Sequence, residues 1–431
     1  MTQYDCLAGI DEPTLNQIVA AVYGIVHKDL LTGTVEPKVP GLGVTAIDYD
    51  VSAVPTVTLR PSDLVARTQR ALLAERHATD PDAMDRAVRL ASRGSFDLTV
   101  AQLALTLHYA GNQPVTSLDC VLHAGLDLRL DGQILTPRVV GLTVEVPGDP
   151  RLSQIITQGL LPLLQDVANA HLRSVTLPPL VLGTLRAAPP VVVTGEGRLL
   201  VTTALEPAAS EPAPVIGNWP RNAAFLGLDA KPAAAVILAV CENKGDIAGN
   251  WSKTYRLSFF ARTTLKADYA LHVRKLDLAV VPECPGQLRG DAELDIRVHF
   301  HAKNLGSCTV KGSARPKARV TMSVTGANEI AVKFDALDDI AVDLDFHNVP
   351  PWLDRALSHD INALRAQIAH QATTALVGRR PETVAQFPEV VIPYPGGRVV
   401  ARLGGTSLIV VESPDGRLLL TAQGRPEVVA G

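Results

Sequence analysis

The chain has 431 residues, of which 47% are hydrophobic and 19% charged; 40 Lys and Arg face 44 Asp and Glu, a formal charge of −4. That composition supplies ample core and excludes intrinsic disorder as the default state. With no basic excess and only 4% aromatic residues, it also excludes a nucleic-acid binder, which needs a cationic footprint or a stacking platform.

In chain order, Asp11 or Glu12 with Pro13 opens a helix whose apolar stripe is Leu15, Ile18, Val19, Val22, Ile25 and Val26. Residues 62–92 read as two charged helices joined at Thr79 to Pro81. Period-two alternation follows. Phe96, Leu98 and Val100 precede a bulge, then come Leu103, Leu105 and Leu107, and then Leu126, Leu128 and Leu130. Asp149 and Pro150 begin a long amphipathic helix with Leu152, Ile155, Ile156, Leu160, Leu163, Leu164 and Val167 on one stripe, kinked at Pro162. Val191 to Thr202 then forms a hairpin. Pro207 to Pro220, rich in Pro, Ala and Ser, loses all periodicity and reads as a linker.

The order then recurs. Pro232 precedes an Ala-rich helical run to Val240, and a polar turn follows at Asn243 to Gly245. Strands carry Leu294, Ile296, Val298 and Phe300, then Val320, Met322 and Val324, then Ile340, Val342, Leu344 and Phe346. Pro350 and Pro351 open a second long helix striped by Leu353, Leu357, Ile361, Leu364, Ile368, Ala372 and Leu376. The closing hairpin, Ile409 to Thr421, repeats the Gly-Arg-Leu-Leu step of the first: Gly197-Arg198 and Gly416-Arg417 lie 219 positions apart, half the chain. This predicts two similar modules, 1–206 and 221–431, joined by 207–220, with 62–92 inserted in the first.

No local motif points to catalysis. There is no Gly-x-Ser-x-Gly elbow, phosphate-cradling loop or dinucleotide fingerprint, so the chain is expected not to be an enzyme and to need no cofactor. His299 and His301 share a strand face at a spacing some metal sites use, but residues 302–305 add no carboxylate; a solvated face is the simpler reading, and no metal is expected. Asp335, Asp338, Asp339, Asp343 and Asp345 lack calcium-loop spacing and read as the polar side of half-buried strands. His171 suits a helix C-terminus. Arg198 and Arg417, each beside a turn, read as surface residues. The five cysteines, Cys6, Cys120, Cys241, Cys284 and Cys308, include no CxxC pair and read as free thiols. The opening MTQYDCLAGIDEPTLNQ is no secretory leader and no stretch is apolar enough to span a bilayer, so the expectation is a cytoplasmic protein as synthesised, with release only by a leaderless route and membrane contact at most peripheral.

Two similar halves, each with long antiparallel strands and one long apolar-striped helix, resemble the tubular lipid-binding (TULIP) superfamily that includes the bactericidal/permeability-increasing protein. LSQIITQGLLPLLQDVANAHLRSVTLPPL, residues 152 to 180, is similar to that family's long helix with its Leu-Leu-Pro step and Leu-Pro-Pro-Leu exit. The opening YDCLAGIDEPTLNQIVAAVY and the size resemble the soluble bacterial branch of toxin-cluster companions. The resemblance implies an α+β fold of two tandem modules, each a long curved antiparallel sheet wrapped around a long amphipathic helix. It also implies a groove that binds, or transfers, a lipid or other apolar small molecule, with Leu160, Leu164, Ile361, Leu364 and Ile368 as ligand-facing candidates. The alternative is a structural component of a toxin-type complex, its core self-filled and its partner a protein.

Overall fold

The computed structural model describes residues 4–36, 44–75, 80–111, 115–131, 134–148, 156, 165–166, 169, 175–176, 186–256, 262–303, 305–325, 329–347, 349–377, 379–386 and 389–431. Strand β1 (Cys6–Asp11) leads into helix α1 (Glu12–Leu30). The Asp11 carboxylate accepts the Thr14 amide at 3.1 Å and Pro13 sits in the first turn, so an orphan donor is satisfied and the chain is preset for helix. The first-half sheet comprises β2 (Thr32–Val35), β3 (Val44–Val51), β4 (Thr56–Thr58), β5 (Ser95–Tyr109), β6 (Thr116–Asp131), β7 (Ile134–Glu145) and β8 (Val175–Thr176). It runs in the order β2-β3-β5-β6-β7-β8, with β4 beside β5. The bulge read from the alternation is present: the β5–β6 register shifts between Val100 and Leu103. One side of this sheet buries Ile47, Leu103, Leu105, Leu107, Cys120 and Val144 together with Ile156.

The expected pair of charged helices is α2 (Asp63–Glu75) and α3 (Pro81–Ala91), the latter capped by Asp80. Two glycines seat α2. Gly125 and Gly141 face each other across β6 and β7, and a Cβ on either would stand 2.9 or 3.0 Å from Leu64 Cβ. Val65 is fully buried there. Of the long helix in this half, Ile156, Gln165, Asp166 and Asn169 are described and helical. The β6–β7 bulge steps past Val140. Asn169 accepts the Val139 N–H at 2.9 Å, and Gln165 donates to the Val139 carbonyl at 3.0 Å, so helix side chains satisfy that backbone. Leu160, Leu164, Pro162, His171 and the rest of that stripe lie outside the described residues.

The hairpin β9 (Val191–Gly195) to β10 (Arg198–Thr203) turns through Glu196 and Gly197, both with positive φ, the backbone a two-residue turn requires. After it, β11 (Ala224–Asp229) leads into α4 (Ala230–Asn243), with Asp229 repeating the capping role of Asp11. The second-half sheet has eight strands: β12 (Ile247–Arg256), β13 (Arg262–Val280), β14 (Gln287–Ala302), β15 (Gly306–Ala314), β16 (Lys317–Val324), β17 (Glu329–Asp338), β18 (Val342–Asp345) and β19 (Glu382–Gln386). Alternate residues point inward, as in Leu294, Ile296, Val298 and Phe300, all at most 3% exposed. Asp343 and Asp345 alternate outward on β18.

The helix expected from Pro350 onward is two helices, α5 (Pro351–Leu357) and α6 (Ile361–Val377). It breaks because Asp360 turns inward to β12, where Lys253 Nζ and Tyr255 OH donate to its carboxylate, the latter at 2.9 Å. The last strands are β20 (Val390–Tyr394), β21 (Gly397–Glu412) and β22 (Leu418–Ala430). They complete a sheet shared by both halves, in the order β20-β21-β22-β11-β1-β10-β9. The start of the chain, β1, thereby pairs with β10 on one side and β11 on the other. Residues 207–220 have no regular structure, but Ala213 and Trp219 are buried against this sheet, Trp219 stacking on Phe225 with ring centroids 6.2 Å apart. Among the described residues the molecule is mostly sheet, with three antiparallel sheets, one in each half and one shared by both, and six helices.

Candidate functional site

Among the described residues the largest buried apolar cluster is the inner face of the second-half sheet with α4 and α6 laid against it. On α6, Leu364, Ile368, Ala372 and Leu376 recur every fourth residue and are at most 3% exposed, packed on β12, β17 and β18. Ile361 is half-buried at its start. The structure thus brings three candidates, Ile361, Leu364 and Ile368, onto one packed face.

Where α4, α6, β17 and β19 converge, a cleft of about 30 Å³ remains, lined inside by Ile237, Val240, Cys241, Val332, Phe334 and Leu376. That is room for little more than one water. Its mouth is charged: Lys244, Lys333, Arg379, Arg380 and Glu382 complete the lining. Lys244 pairs with Glu382, and Lys333 reaches Asp335 at 3.9 Å. Among the described residues no carboxylate is in ion-pair range of Arg379 or Arg380. Burial pushes the Cys241 thiol up to about 11, against the pull of Arg379 and Lys244. At neutral pH it is therefore a neutral, polarisable part of the apolar wall. An apolar slot ending in guanidinium groups suits an amphiphile with an anionic end.

A second polar cluster locks the shared sheet, and here the surface reading of Arg417 is corrected. Its guanidinium lies 4.1 Å from the centre of the Tyr4 ring, donates to the Tyr4 carbonyl at 2.7 Å, and pairs with Asp229 at 3.3 Å and Asp415 at 2.8 Å. Tyr4 is 1% exposed and burial raises its hydroxyl pKa. The cluster joins Tyr4 to the start of β22 and the end of β11 through Arg417 and Asp229. Arg198, its counterpart beside the first hairpin turn, sits opposite Asp11 on β1.

Reactive pairings are sparse. Ser358 Oγ is 2.8 Å from His359 Nδ1, but the neighbouring Asp360 is engaged by Lys253 and Tyr255 instead of orienting that ring. His299 contacts Thr309 at 3.0 Å on the solvated face of β14. Among the described residues no three His, Cys, Asp or Glu are grouped to hold a metal, and all five cysteines are free. No described helix is long and apolar enough to cross a membrane.

No family model and no curated protein matches the sequence. Among solved structures the chain is similar to P47 of Clostridium botulinum E1, with 7% identity and a TM-score of 0.43 over 98% of this chain and 99% of that one. It is similar to P47 from Clostridium botulinum A2, with 10% identity and a TM-score of 0.42 over 98% and 97%. A lipopolysaccharide binding protein is similar at 13% identity and a TM-score of 0.33, over 99% of each chain. At such identities the chemistry of the cleft rests on this chain's own residues.

Proposed function

We propose that the chain is a non-catalytic binding protein for a lipid or similar amphiphile. In this reading it is two tandem TULIP-like modules, 1–206 and 221–431, joined by 207–220. The apolar part of the ligand lies between α6 and the sheet, against Ile361, Leu364 and Ile368, and its anionic end meets Arg379 and Arg380. Leu160 and Leu164 are the corresponding contacts proposed for the first module. The observation that supports this is the cleft itself, where buried aliphatic side chains meet two guanidinium groups that have no described carboxylate partner.

At about 30 Å³ the cleft is too small for an acyl chain, so a chain enters by displacing α6. Each methylene buried returns about 0.8 kcal/mol, so it takes a long acyl chain to offset the contacts that Leu364, Ile368, Ala372 and Leu376 lose when α6 moves. The test is thermal melting with a long-chain fatty acid. A rise in melting temperature is expected for the native chain, lost in Leu376→Trp, which plugs the slot, and reduced in Arg379→Gln. An unchanged melting temperature in the native chain refutes the reading.

A second reading draws on the complete burial of Leu364 and Ile368. Here the core is self-filled and the chain is a component of a toxin-type assembly whose surface binds a protein. Under it the fatty acid has no effect and Leu376→Trp only destabilises.

A further inference from the structure

On the outer face of the second-half sheet, β14 and β16 place Arg289 directly opposite Arg319 and Asp291 opposite Lys317, with the Gly290–Ala318 pair between them and Ala318 turned into the core. Like charges facing each other across a ladder weaken a sheet. The neighbours relieve this unequally. Lys317 pairs with Asp291 at 2.6 Å, and Arg319 reaches Asp338 at 3.4 Å. Arg289 donates at 2.8 Å to the neutral amide oxygen of Gln287, and among the described residues no carboxylate lies in ion-pair range of it.

Between these side chains is a concavity of about 540 Å³, lined by Arg289, Gly290, Lys317, Ala318, Arg319 and Asp338. Gly290 admits no side chain, because a Cβ there would stand 1.8 Å from the Asp277 carbonyl oxygen. The lining holds three cations and the Asp338 carboxylate, with Asp291 beside it on Lys317, so the uncompensated charge is that of Arg289. Two planar guanidiniums side by side suit a tetrahedral oxyanion, which accepts paired hydrogen bonds from each. The volume falls in the range of small-molecule sites and exceeds what a bare phosphate fills.

We infer that this concavity binds the phosphate group of a small organic phosphate, clamped between Arg289 and Arg319 with Lys317 as a third cation. The bound anion removes the Arg–Arg repulsion, so binding and sheet stability are linked. The site lies on the solvent side of the sheet and does not depend on the apolar cleft.

The probe is glycerol 3-phosphate, a chemistry shared by free metabolites and lipid headgroups, with melting temperature read against sodium chloride at equal ionic strength. The native chain is expected to melt higher with glycerol 3-phosphate than with the salt control. Arg289→Gln, on the surface, should melt higher than the native chain without ligand and bind at least about tenfold more weakly, the loss of one charge-assisted hydrogen bond. Flotation with phosphatidylcholine vesicles containing phosphatidic acid then separates the sources. Binding lost in Arg289→Gln assigns a membrane headgroup, and response to the soluble probe alone assigns a metabolite. The inference is overturned if glycerol 3-phosphate does no more than sodium chloride, or if Arg289→Gln lowers the ligand-free melting temperature while keeping the response.

Discussion

Ile368→Ala asks whether α6 is bound to its sheet by core packing. Ile368 has no exposure and belongs to the cluster that includes Leu364, Leu376, Val332 and Phe334. The substitution removes three side-chain carbons, which at about 0.8 kcal/mol each gives roughly 2.4 kcal/mol of lost burial. A residual cavity adds about 24 cal/mol per Å³, so a seam that does not collapse takes the total toward about 4 kcal/mol. Ala366, on the exposed side of the same helix, is the control: Ala366→Ser should change stability by no more than about 0.5 kcal/mol. Urea unfolding followed by far-UV circular dichroism reads both. If α6 is displaceable, the vacated space should also tighten fatty-acid binding, since an apolar cavity gives an acyl chain somewhere to go. A loss below about 1 kcal/mol for Ile368→Ala, equal to the control, would refute the packing on which both functional readings stand.

Other expectations follow from the same contacts. Gly125→Val should unseat α2, because its Cβ would stand 2.6 Å from Ser62 Oγ and 2.9 Å from Leu64 Cβ; a cost of about 1–3 kcal/mol and faster proteolysis of residues 63–91 would show it. The Asp360 carboxyl is held below the usual carboxylate range, first by its hydrogen bond from Lys253, with burial opposing. Its contribution is therefore complete above the unfolded value of about 3.9 and lost as pH falls through the lower folded value. Asp360→Asn should lower stability at neutral pH and flatten the acid limb of the stability curve; an acid limb identical to the native chain's would refute the assignment. Thiol labelling at mildly alkaline pH should modify exposed Cys284 and spare Cys241, buried and pushed up to about 11. Labelling of both at equal rates would mean the cleft is open.

The elements legible in the sequence are those whose signal is local. Asp11 with Pro13, the alternation from Leu294 to Phe300 and the Gly-Arg-Leu-Leu hairpins each carry their geometry within a few residues, and the structure has a helix start, a strand and two hairpins there. What stayed hidden depends on distant partners. Arg417 reads as a surface residue because Tyr4 and Asp229, which enclose it, lie 413 and 188 positions away. Asp360 breaks the second helix for contacts with Lys253 and Tyr255, 107 and 105 positions distant. The stripe through Leu364 and Ile368 is plain as periodicity, yet periodicity is the same for a core and for a ligand-lined wall. The cationic mouth had a signal: Lys244 follows α4 and Arg379-Arg380 follows α6, each just past a helix end. Only the packing of those helices brings them together.

In the proposed function an amphiphile occupies the space between α6 and its sheet. Native mass spectrometry of the chain purified without detergent, followed by organic extraction and compared with a similar-sized control from the same host, tests it directly. A lipid bound in stoichiometric amount, and its loss in Leu376→Trp, is the expected result. A native chain carrying no more lipid than the control, and taking up no added fatty acid, would contradict it.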